Sequence, residues 1–201
     1  KVAKELGHEI FTTDFSDQFG PDLCISIHDL KVEQLPYKPD IIWASPPCTT
    51  FSVASICHYW VNGKPKNEKT LEGIAILEKA IQTIAELKPK YWFVENPRGM
   101  MRKIIDEIFI RNGITDYKRN TVSYCQYGSK IMKPTDIWTN LKEWDGRMCK
   151  NGAPCHERAA RGSKTGVQGI SNPEWEKARG NNAMARGVIP PELFREIFKA
   201  I

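Results

Sequence analysis

The stretch Asp40-Ile41-Ile42-Trp43-Ala44-Ser45-Pro46-Pro47-Cys48-Thr49-Thr50-Phe51-Ser52 decides how the rest of the chain is read. It follows the turn at Pro36 and Pro39 and opens with a short apolar run suited to a strand buried on both faces. Two prolines come next. With fixed φ and no amide proton, they end the sheet and hold the following side chain rigidly at its rim. Cys48 then stands at the lip of a ligand crevice, where a thiolate can attack an electrophile. A loop cysteine packed under Phe51 is the plain alternative, and the diproline context argues against it.

Working outward, strands and helices alternate. Upstream, Lys1 to Leu6 reads as the end of a helix stopped by Gly7, His8 to Thr13 as a strand ending at Asp14, and Leu23 to Ile27 as a strand ending near Asp29. Downstream, Leu71, Ile74, Leu77, Ile81, Ile84 and Leu87 recur at three and four, predicting a helix over 70–87 that Pro89 closes. Tyr91-Trp92-Phe93-Val94 is another buried strand, and a helix is expected at 100–111 (Met101, Ile104, Ile105, Ile108), stopped near Gly113. Thr121 to Cys125 and Thr135 to Thr139 are strand-like and close enough to pair. Pro190-Pro191-Glu192 opens a final amphipathic helix carrying Leu193, Phe194, Ile197, Phe198 and Ile201. The pattern predicts an α/β fold with a mostly parallel sheet covered by helices. Ligands of such sheets sit beyond the carboxyl ends of the strands, which singles out Asp14, Asp29, Ser45 to Cys48 and Glu95 to Pro97.

Composition sets the limits. A chain of 201 residues, 41% hydrophobic and 26% charged, can bury a real core and is not wholly disordered. No apolar run approaches the roughly 20 residues needed to cross a bilayer. Lys1-Val2-Ala3-Lys4-Glu5-Leu6 lacks the apolar stretch of a secretion signal, and six cysteines without one point to a reducing, cytoplasmic compartment. The net charge of +5 permits a polyanionic partner without demonstrating one. From Trp144 to about Asn182 the chain turns basic and rich in glycine. The expected organisation is a core over 1–143, a small basic insertion over 144–182, and a helix over 183–201 that returns to the core. Within the insertion, Cys149, Cys155 and His156 are zinc-ligand types in a segment without an apolar core. The fourth ligand is open between Cys125 and Cys57, and ordinary reduced cysteines are the alternative. Cys24 and His28 have ligand-like spacing but read as core.

Ser45-Pro46-Pro47-Cys48, followed at short range by Phe51-Ser52, resembles the catalytic motif of the cytosine carbon-5 DNA methyltransferases, and Tyr91 to Pro97 resembles that family's next hallmark, an apolar strand ending in Glu-Asn. Pro97 stands where the family usually has Val. The resemblance implies a Rossmann-like S-adenosylmethionine-dependent fold and a compact member of phage or restriction type, working in a bacterial or phage-infected cell. It implies that Cys48 adds to carbon 6 of cytosine while Glu95 holds N3 and the exocyclic amine. It puts Asp14 on the cofactor's ribose, Asp29 on its adenine amine, Leu30 against the adenine face, and Ser45 nearby. Ser52, Asn96 and Lys133 are implied on the substrate side, Lys133 replacing the arginines usual in the segment around Tyr124 to Gly128.

Arg158, Arg161 and Lys164 read as residues that track phosphates of DNA whose target cytosine is flipped out of the stack, with a solvated basic loop as the alternative. The family's glycine-rich loop is expected upstream of Lys1, and Asn181-Asn182-Ala183 through Pro191 loosely resembles its last motif. Three rival readings stay open: methylation of the exocyclic amine, the same reaction on RNA, and a catalytically inactive DNA-binding relative.

Overall fold

The computed structural model describes residues 1–150, 153–156 and 187–201. In chain order the helices and strands are α1 (Val2–Glu5), β1 (Thr13–Asp14), β2 (Leu23–Cys24), β3 (Ile41–Ala44), α2 (Ile56–Tyr59), β4 (Trp60–Val61), β5 (Lys64–Pro65), α3 (Glu68–Leu87), β6 (Tyr91–Pro97), α4 (Ile105–Arg111), β7 (Lys118–Ser123), β8 (Pro134–Thr139) and α5 (Pro191–Ala200). The main sheet has the order β3-β6-β8-β7; β1 and β2 form a parallel pair of their own, and β4 and β5 an antiparallel hairpin. No helix among the described residues is long and apolar enough to cross a membrane.

The decisive stretch folds as its sequence demands. β3 runs parallel to β6, with Ile41 opposite Tyr91 and Ala44 opposite Val94. Parallel neighbours need a long crossover, and α3 lies within it. Asn67 starts α3 by accepting the Thr70 amide at 3.0 Å, and Lys88, at φ 47°, ends it in the left-handed region before Pro89. Leu77, Ile81, Ile84 and Leu87 are buried as expected, whereas Leu71 is exposed. Gly73 explains the difference. A Cβ there would lie 2.3 Å from Thr50 Oγ1, so the helix turns its glycine to the loop after β3, and Leu71, two residues away and about 200° round the helix, faces water.

The chain clusters into two units, Lys1–Arg119 with Ile137–Lys142, and Asn120–Asp136 with Glu143–Ile201. The first holds an apolar core in which Phe51, Leu77, Ile81, Val94, Met101, Ile105, Phe109 and Trp138 are almost wholly covered. Phe109 bridges Trp92 (5.2 Å between ring centroids) and Tyr117 (4.5 Å). Burial, and then a hydrogen bond to Asp106, push the Tyr117 phenol up to about 12. The helix expected at 100–111 is broken: a 3₁₀ turn over Met100–Lys103 buries both methionines, and α4 starts at Ile105.

The expected strands at 8–13 and 23–27 shrink to two residues each. Asp22 accepts from the Thr12 amide (2.8 Å) and hydroxyl (2.7 Å), so a side chain occupies the position of a ladder bond. One hairpin had escaped the periodicity reading. Asn62 and Gly63 take φ of 49° and 78°, the turn that Asn-Gly favours between β4 and β5.

The second unit is held differently. Glu196 of α5 accepts from the Tyr127 hydroxyl (2.8 Å) and the Trp144 indole (3.1 Å), and pairs with Arg147 at 2.8 Å. The Arg147 guanidinium also covers the Tyr127 ring at 4.2 Å. Burial, reinforced by Glu196, raises the Tyr127 phenol to about 12. β7 stops at Ser123, so Cys125, expected on a strand, sits in the 3₁₀ turn Tyr124–Tyr127 that follows.

Candidate active site

At the carboxyl end of β3 the chain is fixed from several sides. The Trp43 indole donates to Ser45 Oγ at 2.8 Å. Asn96, wholly buried, donates through Nδ2 to the Pro46 carbonyl at 2.9 Å. This bond extends the tie between β3 and β6 as far as the first of the two prolines, which supply no amide of their own. Past Cys48 the chain turns at once: its carbonyl accepts from the amides of Phe51 (3.1 Å) and Ser52 (2.9 Å). The Phe51 side chain is wholly buried, and its carbonyl takes the Met100 amide at 2.8 Å. A Cβ on Gly99 would lie 2.0 Å from that carbonyl oxygen, so only glycine allows this approach. Ser52 bridges to Gly99, and its hydroxyl caps the next turn by accepting from Ala54.

Between these anchors Cys48 is exposed, while Glu95 is only 5% exposed. One residue after the Ala44–Val94 pair the two chains carry Ser45 and Glu95, and the next positions are tied by Asn96 and Pro46. The thiol and the carboxyl therefore belong to neighbouring parallel strand ends. Glu95 lies within β6 and not beyond it, so its backbone is part of the sheet. The Asn96 Oδ1 atom is buried and has no hydrogen-bond partner among the described residues.

Of the residues expected on the cofactor, Ser45 follows β3, and Asp14, Asp29 and Leu30 lie around the parallel β1–β2 pair. Asp14 ends β1, half-buried, with Oδ1 accepting from the Ser16 amide at 2.9 Å. Asp29 is exposed in a turn beyond β2, and Leu30 beside it is 7% exposed. Two carboxylates at the exits of adjacent parallel strands suit a diol and an amine, so this donor set fits the nucleoside part of S-adenosylmethionine. Cys24 and His28 are not core: both are exposed, Cys24 reaching the Phe15 carbonyl at 3.6 Å and His28 pairing with Glu72 at 3.0 Å. Their strand ends at Cys24, which frees the following segment from the alternation that would have buried them.

In the second unit Lys133 lies over the Tyr124 ring at 4.8 Å. Arg158, Arg161 and Lys164 and the Asn181-Asn182-Ala183 stretch lie outside the described residues. Cys149, Cys155 and His156 do come together, and Cys125 joins them. The Cys149 and Cys155 sulfurs are 3.2 Å apart, each lies 3.5 Å from His156 Nδ1, and Cys155 is 3.7 Å from Cys125. Cys57, the other expected fourth member, belongs to α2 and is not part of the group. Sequence reasoning missed the Asn96 clamp and Gly99; the only signal was an Asn and a Gly close behind an acidic strand end.

A family model described as C-5 cytosine-specific DNA methylase matches residues 2–111. The chain is 27% identical to the probable DNA (cytosine-5)-methyltransferase of Frog virus 3 (isolate Goorha), over 97% of this chain and 90% of that protein. Among solved structures it is similar to an E. coli prophage protein described as a DNA modification methyltransferase (16% identity, TM-score 0.49) and to the Entamoeba histolytica methyltransferase EhMeth (15%, 0.43). Those likenesses cover 69% and 74% of this chain, which spans 41% and 49% of the two solved chains.

Proposed function

We propose that this chain, which belongs to the family of C-5 cytosine-specific DNA methylases, transfers a methyl group from S-adenosylmethionine to carbon 5 of a DNA cytosine through a covalent bond to Cys48. The observation that carries the reading is an exposed cysteine in a loop anchored before it at Pro46 by Asn96 and after it at Phe51 by the close approach of Gly99, with a buried glutamate near the end of the neighbouring parallel strand.

Carbon 5 of cytosine is a poor nucleophile until something adds at carbon 6. The Cys48 thiolate supplies its electron pair to form the sulfur–carbon 6 bond, and the ring electrons move toward carbon 5 and N3. Glu95, carrying a proton, donates to N3 and accepts from the exocyclic amine, which stabilises the negative charge that addition creates. Its burial strengthens that interaction, because little water competes. S-adenosylmethionine, when bound, supplies the methyl group, with Asp14 on the ribose hydroxyls, Asp29 on the adenine amine, and Leu30 and Ser45 close by. Loss of the carbon-5 proton to a base then restores the ring, and the sulfur–carbon bond breaks to return the thiolate. Asn96 and the diproline hold Cys48 in place throughout, so the thiol meets carbon 6 without first being ordered.

The target base has to leave the stack, since its carbon 5–carbon 6 edge is otherwise covered by neighbouring bases. Lys133 and the basic residues Arg158, Arg161 and Lys164 of the stretch 144–182 are assigned to phosphate and substrate contacts, with Ser52 beside the thiol. Binding should weaken as salt rises. Incubation of the protein and labelled S-adenosylmethionine with duplex DNA and, in parallel, with RNA, followed by nucleoside analysis, tests the assignment. The expected product is 5-methylcytosine. Label on the exocyclic amine, label in RNA alone, or DNA binding with no product would each refute it.

A further inference from the structure

We propose that Cys125, Cys149, Cys155 and His156 bind one zinc ion, which fastens Cys149, Cys155 and His156 to the turn after β7. This rests on the second unit alone and is independent of the methyl-transfer reading.

The distances carry the first part of the argument. A tetrahedral zinc with Zn–S of about 2.3 Å and Zn–N of about 2.0 Å sets sulfur–sulfur edges of about 3.8 Å and sulfur–nitrogen edges of about 3.5 Å. Two sulfurs lie 3.5 Å from His156 Nδ1, and the Cys155–Cys125 edge is 3.7 Å. The Cys149–Cys155 edge, at 3.2 Å, must open slightly. All four ligand atoms lie within 4.8 Å of one another, close enough for one ion to draw them into a single coordination shell. The adjacent Cys155-His156 pair is accommodated because the ring presents Nδ1, the nitrogen nearer the backbone.

The surroundings carry the second part. His156 is only 7% exposed, yet its Nε2 has no hydrogen-bond partner among the described residues, and Nδ1 meets only sulfur, a weak partner. Burying an imidazole on those terms is unfavourable unless something stronger binds it. Gln126 Nε2 donates to Cys155 Sγ at 3.1 Å, as amides do around metal-bound thiolates, and the Cys149 amide donates to Ser123 Oγ at 3.0 Å.

The donor set selects the ion and its role. Three thiolates and an imidazole favour a soft or borderline cation over magnesium or calcium. Four protein ligands leave no position for water or substrate, so the ion is structural. On binding, three thiols release their protons and the site acquires a charge of −1 around a neutral His156. The ligands tie Cys125 to a cysteine 30 residues further along the chain, and in the sequence Arg158 follows two residues after the last of them.

The full chain, purified with zinc in the medium, should contain one zinc by elemental analysis. X-ray absorption should report three sulfur neighbours at about 2.3 Å and one nitrogen at about 2.0 Å. Replacement by Co(II) should give the visible absorption of a tetrahedral thiolate site. Cys125→Ser should lose the metal, whereas Cys57→Ser should keep it. Folded protein that takes up no zinc, a different ligand shell, another metal in preference to zinc, or metal lost with Cys57 and kept without Cys125 overturns the proposal. The absorption measurement uses the unaltered chain, so the test stands even where a variant fails to fold.

Discussion

The two units are stabilised in contrasting ways. In the first, α3 and α4 lay leucine, isoleucine and aromatic side chains on β6, and burial does most of the holding. In the second, one carboxylate, Glu196, collects an indole, a phenol and a guanidinium, while the sulfurs of Cys125, Cys149 and Cys155 gather with the His156 imidazole. Burial tolerates imprecise geometry, whereas directed bonds fail when one partner is removed. The difference suits a scaffold that fixes the ends of β3 and β6 and a smaller unit fastened at a few points.

Phe109→Ala should show the contrast most strongly. It empties a site between Trp92 and Tyr117 and should lower unfolding free energy by about 3–5 kcal/mol, measured by denaturant titration. Glu196→Ala should come next, at about 2–4 kcal/mol, because it leaves the buried Tyr127 hydroxyl and Trp144 indole without their acceptor and Arg147 without its pair. Glu196→Gln retains an acceptor and should recover part of that loss. An equal effect of the two substitutions would contradict the hub. Asn96→Ala sharpens the comparison from inside the first unit, since it removes a directed bond from a region otherwise held by burial. It should lower stability by about 1–3 kcal/mol and reduce methyl transfer more than DNA binding, because the Pro46 carbonyl that positions Cys48 loses its donor.

The smallest effect is shared. Tyr117 and Tyr127 hold their phenolic protons up to about 12, above the ordinary value of about 10. Between those values the unfolded chain has released protons that the folded chain keeps, so stability should fall as pH rises through that window and be unaffected by these groups below it. Urea midpoints measured from about pH 10 to about pH 12 should slope less in Tyr117→Phe and Tyr127→Phe.

How much of this was readable beforehand follows from the same contrast. β3 and β6 were legible because strands covered on both faces write themselves as unbroken apolar runs, and the Pro-Pro-Cys and Glu-Asn endings marked where each stops. The final helix announced itself through Pro191 and an apolar stripe. The strands at 8–13 and 23–27 were overread, since β-branched residues there do not reveal that Asp22 takes the Thr12 groups. Glu196 looked like any helical glutamate, because its partners lie 52 and 69 residues away. Cys125 and Cys57 were equal candidates by type, and only tertiary structure brings one of them to Cys149.

The central claim is that Cys48 bonds to cytosine, and a duplex carrying 5-fluorocytosine tests it most directly, because fluorine cannot leave carbon 5 as a proton does. Incubated with S-adenosylmethionine, the protein should form a complex that survives denaturing electrophoresis, requires the cofactor, and is absent in Cys48→Ser. A complex that persists in Cys48→Ser, or methylated product from that variant at the unaltered rate, would contradict the account.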